Sequence, residues 1–146
     1  MEIKTVLKKL YKTYKKGDSD LGCVSRANML YYFMRNQGLN PKLKLFSFKN
    51  DGGERIILSH CIVILNNMVY DTNLDETQNP IEISKYEEVN KKQNPQLNLI
   101  WEEFLSDKYP IDLVWNYLPK CDEDLQKEIR SLIKEKYKNY LKKTRI

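Results

Sequence analysis

The sequence predicts an α+β domain in which a helix packs on a small antiparallel sheet and the second half of the chain is helical. Three observations carry that expectation. Apolar residues recur at helical spacing over Ile3–Tyr14 and again from Cys23 onward; Leu43–Phe48 and Arg55–Asp71 switch to strand-like runs broken by turn residues; and from Ser84 to Lys142 helical spacing returns.

The first helix follows from Ile3, Val6, Leu7, Leu10, Tyr11 and Tyr14, which share one stripe, and Gly17 ends it. Asp18-Ser19-Asp20 supplies capping residues for a second helix, starting at Leu21 or Cys23 and running to Gln37, with Ala27, Leu30, Tyr31 and Met34 on one side. Gly38 suits the left-handed position after a helix, and Pro41 blocks continuation. Leu43–Phe48 then alternates as a strand, Asn50-Asp51-Gly52-Gly53 turns the chain, and Arg55–Leu65 forms a longer strand. Asn66-Asn67 predicts a tight hairpin, because asparagine tolerates positive φ, and Met68–Asp71 returns. The longer strand is apolar on both faces, so cover is expected from the second helix on one side and from the C-terminal half on the other. Helices are predicted over about Ser84–Lys92, Leu97–Leu105, Pro110–Leu118 and Asp122–Lys142, the last with Leu125, Ile129, Leu132, Ile133, Tyr137, Tyr140 and Leu141 on one face.

At 146 residues the chain fits a single domain, 1–146, with a core over 19–73 and a helical C-terminal half over 81–146. The apolar run Ile56–Leu65 is too short to span a bilayer, and the charged, interrupted N-terminus is unlike a secretory leader, so a cytoplasmic protein without membrane association is expected. Abundant Lys, Asn, Tyr and Ile suggest an AT-rich coding genome, of a phage or a low-GC bacterium. The net charge of +5 comes from basic and acidic residues interleaved along the chain, which argues against a nucleic-acid partner. Three cysteines without paired spacing encode neither a disulfide framework nor a zinc site. A metal at Cys23, His60 and Cys61 is not expected, since consecutive strand residues point to opposite faces; no cofactor is expected.

Chemistry concentrates at Cys23, His60 and Asp71. A cysteine in the first turn of a helix meets unpaired N–H groups and the positive end of the helix dipole, which favour a thiolate; the same N–H groups suit an oxyanion. No Gln, Asn or Trp stands upstream of Cys23 to add a side-chain donor. His60 is the only histidine in the chain, so any Cys–His pair must use it. A symmetric Asn66-Asn67 hairpin pairs Leu65 with Met68, Ile64 with Val69 and Val63 with Tyr70, and continues to Ile62 with Asp71 and His60 with Asn73. His60 and Asp71 then share a face on a diagonal of about 7–8 Å, which two side chains can close. Asp71 is placed to orient the imidazole, with Asn73 as the alternative. Each residue also has a plainer role: a buried small cysteine, a core histidine, an Asx turn at Asp71-Thr72-Asn73.

The run Gly22-Cys23, Ala27, Gly38-Leu39-Asn40-Pro41, then Ser59-His60-Cys61-Ile62-Val63 and Val69-Tyr70-Asp71-Thr72-Asn73, resembles the transglutaminase-like superfamily, related to the papain-like cysteine proteases. The resemblance covers about residues 19–73. It implies a papain/transglutaminase-like core with Cys23 as nucleophile, His60 as general base and acid, and Asp71 orienting His60. The activity so implied is thiol-dependent acyl transfer on an amide in a protein or peptide substrate, foremost hydrolysis as a cysteine peptidase or deamidase, alternatively crosslinking as a transglutaminase. A further alternative is a non-catalytic interaction module using the basic last helix, with Lys127, Arg130, Lys134, Lys136, Lys138, Lys142, Lys143 and Arg145, to bind a protein or nucleic acid. Trp101, Tyr109, Trp115 and Tyr117 are either walls of a cleft or core.

Overall fold

A computed structural model describes residues 1–17, 22–104 and 111–144 of the chain. Helix α1 (Ile3–Lys15) and helix α2 (Gly22–Asn36) precede β1 (Lys42–Lys49), β2 (Arg55–Leu65), β3 (Met68–Tyr70) and β4 (Ile81–Glu82); α3 (Ile83–Gln93), β5 (Asn98–Phe104), α4 (Ile111–Tyr117), a 3-10 turn at Leu118–Lys120 and α5 (Glu123–Thr144) complete the chain. The predicted cap Asp18-Ser19-Asp20, Leu21, Leu105, Tyr109, Pro110, Arg145 and the Tyr140 side chain lie outside the described residues.

The five strands form one antiparallel sheet in the order β4-β3-β2-β1-β5. Local chemistry accounts for the joints that matter to the site. Gly38 takes φ +82° after α2, and the Gly38 and Leu39 N–H groups donate to Arg35 and Met34 carbonyls at 3.0 and 3.1 Å, closing the helix end. Asn66 and Asn67 both take positive φ, 51° and 65°, the two left-handed residues of a type I′ turn, and this fixes Leu65↔Met68, Ile64↔Val69 and Val63↔Tyr70. At the start of α5, Asp122 Oδ1 accepts from the Asp124 and Leu125 N–H groups at 3.0 and 3.2 Å.

Two apolar layers sandwich the sheet. On one face Leu43, Cys61, Val63 and Leu65 pack against α1, α2, α4 and α5 through Leu7, Leu30, Phe33, Val114 and Ile129. On the other face Phe46, Phe48, Ile62 and Val69 pack with Tyr86 of α3, and Leu99 and Trp101 close the flank. This sharpens one expectation: α4 and α5 join α2 on its own side, and from the C-terminal half it is α3 that covers the opposite face.

The predicted helix at Leu97–Leu105 is instead strand β5, paired along its length with β1 from Leu43↔Phe104 to Lys49↔Asn98. Leu99-Ile100-Trp101 is apolar without a gap and fits either period. The deciding factor is tertiary, since β1 would otherwise present an open edge of unpaired backbone groups. Strands β4 and β5 thus interrupt a half of the chain read as helical throughout. Among the described residues no helix is long and apolar enough to cross a membrane.

Candidate active site

The site forms where α2 begins and where β2 and β3 part. Cys23 is the second residue of α2 and is half-buried. With no acidic residue in the first turn to oppose the dipole, the helix start favours an anion there. Burial by itself would raise the thiol's pKa; the hydrogen bond with His60, the Cys61 backbone N–H, the His60 charge and the Val24 N–H together outweigh it and hold Cys23 below the ordinary cysteine value of 9.0. The two other cysteines go the opposite way. Burial, with the Cys23 charge, pushes Cys61 far up, and burial lifts Cys121 to about 11.

Strand β2 is irregular just before His60. Phe46 lies opposite His60 and Phe48 opposite Ile57, so two residues of β2, Leu58 and Ser59, face the single Ser47 of β1, a bulge. The β2–β3 ladder ends at Val63↔Tyr70, so the predicted pairs Ile62–Asp71 and His60–Asn73 do not form. Past that point the chain diverges, and side chains rather than backbone fill the gap. His60 Nε2 and Asp71 Oδ1 are 2.8 Å apart, which leaves Nδ1 as the ring nitrogen for Cys23. The edge of the Phe46 ring meets the imidazole at 5.6 Å and 84°. Burial alone would lower the His60 pKa; the hydrogen bonds and charges of Asp71 and Cys23 reverse that and raise it from 6.5 to about 9. A histidine raised beside a cysteine lowered is the direction that favours a thiolate–imidazolium pair over a neutral thiol and imidazole.

Asp71 is only 6% exposed, and three donors converge on its carboxylate: His60 Nε2 and the Asn73 N–H (2.9 Å) at Oδ1, and the Tyr86 hydroxyl (2.7 Å) at Oδ2. Burial would raise its pKa, but these contacts and the His60 charge hold it below 3.8. Its backbone is fixed as well. Asn79 Oδ1 accepts from the Asp71 N–H at 2.8 Å, while Asn79 Nδ2 donates to the carbonyls of Asp71, Leu74 and Asp75 at 3.0, 3.2 and 2.9 Å. Asn73, the alternative orienter, does not face the imidazole: its side-chain oxygen accepts from Arg26 Nη2, and its N–H serves Asp71.

Arg26 is the other addition that the structure makes. It stands one helical turn after Cys23, is 1% exposed, and donates through Nε to Thr72 at 3.2 Å and through Nη1 to the Tyr117 hydroxyl at 3.4 Å, besides Asn73, with its guanidinium 4.9 Å from the Tyr14 ring centre. It ties the residues after Asp71 to the nucleophile's helix. Replacing Arg26 by methionine removes the cost of burying a charge but strands Thr72 and Asn73 acceptors in the interior. A stranded buried group costs about 1–3 kcal/mol, so a net loss near 2 kcal/mol is expected in urea unfolding. Lysine should rescue little, because a point charge cannot fork among three acceptors.

Arg26, Tyr86, Asn79 and Thr72 were not legible as site residues. Only Arg26 left a signal, as a charge on the stripe Cys23, Arg26, Ala27, Leu30. The aromatic residues separate: Trp101 packs with Phe46 beside the site, Tyr117 meets Arg26, and Trp115 stacks on Tyr137 at 4.4 Å within the helical layer. Among the described residues no group of His, Cys, Asp and Glu side chains has the arrangement to hold a metal ion. Comparison of the chain with protein-family models, with curated proteins and with solved structures gives no match in any of the three.

Proposed function

We propose that the protein is a thiol-dependent enzyme of the transglutaminase-like/papain-like kind that performs acyl transfer on an amide, with hydrolysis of a peptide or carboxamide as its reaction. The observation that carries this reading is the bridging imidazole, hydrogen-bonded to a buried carboxylate on one side and to an acidified cysteine on the other. In this reading Cys23 thiolate attacks the amide carbon, and N–H groups of the first turn of α2 stabilise the oxyanion. The His60 imidazolium then donates its proton to the departing amine, leaving a thioester on Cys23. Neutral His60 next takes a proton from water, which attacks the thioester; the acid leaves and the thiolate–imidazolium pair is restored. Asp71 keeps Nδ1 toward the reaction throughout. The order helix-borne Cys, strand-borne His and hairpin-borne Asp supports the family resemblance.

A binding role for the basic last helix is less well supported. Arg130 and Lys136 lie over the protein's own rings, 4.8 Å from Trp115 and 4.5 Å from Tyr32, rather than standing out to solvent as a continuous stripe.

Iodoacetamide at pH 6 tests the proposal. Cys23 should be alkylated at least ten-fold faster than Cys61 or Cys121, with the preference abolished in His60→Ala, because only Cys23 is held as a thiolate. Slow and equal labelling of the three thiols would remove the basis for an enzyme.

A further inference from the structure

We propose that Tyr86 is a positioning residue: its hydroxyl takes up Oδ2 of Asp71 and thereby commits Oδ1 to His60. A carboxylate buried to this degree has two oxygens to satisfy and almost no solvent to do it. With Oδ2 held by Tyr86 at 2.7 Å, rotation about the Cβ–Cγ bond would break a buried charge-assisted hydrogen bond, so the oxygen facing His60 stays where it is. Tyr86 is itself fixed. It is 5% exposed, its ring packs edge-on to Phe46 at 5.4 Å and lies 6.5 Å from Trp101, and the first turn of α3 carries it under the sheet. Burial and the Asp71 charge both push its pKa up, so the phenol remains a donor across the working range.

The arrangement also explains why α3 is needed for the site. No residue of α3 meets Cys23 or His60 through a hydrogen bond among the described residues, yet the helix reaches them through one carboxylate. The titratable and charged groups facing Asp71 and His60 are Cys23 and Arg26 from α2 and Tyr86 from α3; from the sheet, β1 contributes the Phe46 ring, which carries no charge. Removing the Tyr86 hydroxyl leaves Oδ2 a buried acceptor without a donor. The anion is then less favoured and freer to turn, and its support for the imidazolium weakens.

The inference rests on the Cys–His–Asp reading of the site, but its test does not require turnover. The chain's single histidine gives one imidazole signal set in a long-range proton–nitrogen spectrum, so the His60 titration is read directly. In Tyr86→Phe, which keeps the ring contacts, the midpoint should fall by about one unit, the low end of what a neighbouring charge commands. The rise of Cys23 alkylation with pH should move upward correspondingly. Val89→Ala, at an exposed position of the same helix, should leave both midpoints unchanged. A Tyr86→Phe protein whose melting temperature falls while both midpoints stay put overturns the proposal, as does a Val89→Ala protein that shifts His60 equally. Sluggish Cys23 in the wild type combined with a shifted His60 in Tyr86→Phe would reject the enzyme and retain the role of Tyr86.

Discussion

Replacing Asp71 by asparagine is expected to lower turnover roughly a thousand-fold to ten-thousand-fold, the scale on which a nucleophile–base pair loses function when its orienter can no longer fix the tautomer. The change is nearly isosteric, so the loss must come from the pattern of donors. Every side-chain and backbone group that meets the carboxylate donates to it: His60 Nε2, the Asn73 N–H and the Tyr86 hydroxyl. Asparagine offers one oxygen and one NH2. With its oxygen toward His60 and Asn73, the NH2 meets Tyr86, which must turn its hydroxyl round to accept, and the negative charge is gone. With the NH2 toward His60, the ring must place its own proton on Nδ1 and can no longer serve as base for Cys23. In both cases His60 loses the charge that outweighs burial, and its titration should fall well below about 9. Single-turnover acylation and the His60 titration measure the two consequences; a variant that keeps both would show that Asp71 is only a structural acceptor.

Why Asp71 was legible in the sequence and Tyr86 was not follows from how far apart along the chain their determinants lie. The hairpin is local. Asn66 and Asn67 set the turn, the turn sets the register, and the side-chain period of two carries the register outward to His60 and Asp71. Even there the inference is geometric rather than literal, since the ladder stops at Val63↔Tyr70 and the His60–Asp71 side-chain hydrogen bond stands where the predicted cross-strand pairs would have been. Cys23 was equally local, a cysteine between capping residues and an apolar helical stripe. Tyr86, Arg26 and Asn79 act across separations of 15, 47 and 8 residues from their partners Asp71, Asn73 and Asp71, through contacts that exist only once α2, α3 and the segment after β3 have packed. Strand β5 failed to announce itself for the same reason. Its residues tolerate either period, and the open edge of β1 makes the choice.

The thiolate–imidazolium pair of the proposed mechanism also predicts how stability depends on pH, and here the largest change should appear in Cys23→Ala. Consider the window from 6.5 to about 9, bounded by the ordinary and the raised values of His60. In the unfolded chain His60 is neutral and Cys23, with its ordinary value of 9.0, is a thiol. In the folded wild type the proposed ion pair has His60 charged and Cys23 as the thiolate. Each state holds one proton on the pair, so folding takes up none, and the pair adds no slope to stability against pH. Removing Cys23 breaks the balance. The folded variant still keeps a proton on His60 beside Asp71, the unfolded variant does not, and the unfolded state therefore binds fewer protons. Stability must then fall as pH rises above 6.5, by up to about 1.4 kcal/mol per unit until the variant's own His60 value is passed. Urea midpoints of variant and wild type measured side by side cancel the titrations common to both. A steep fall confined to Cys23→Ala is the expected result; an equal fall in the wild type would mean that folded Cys23 keeps its proton and that no ion pair exists to attack an amide.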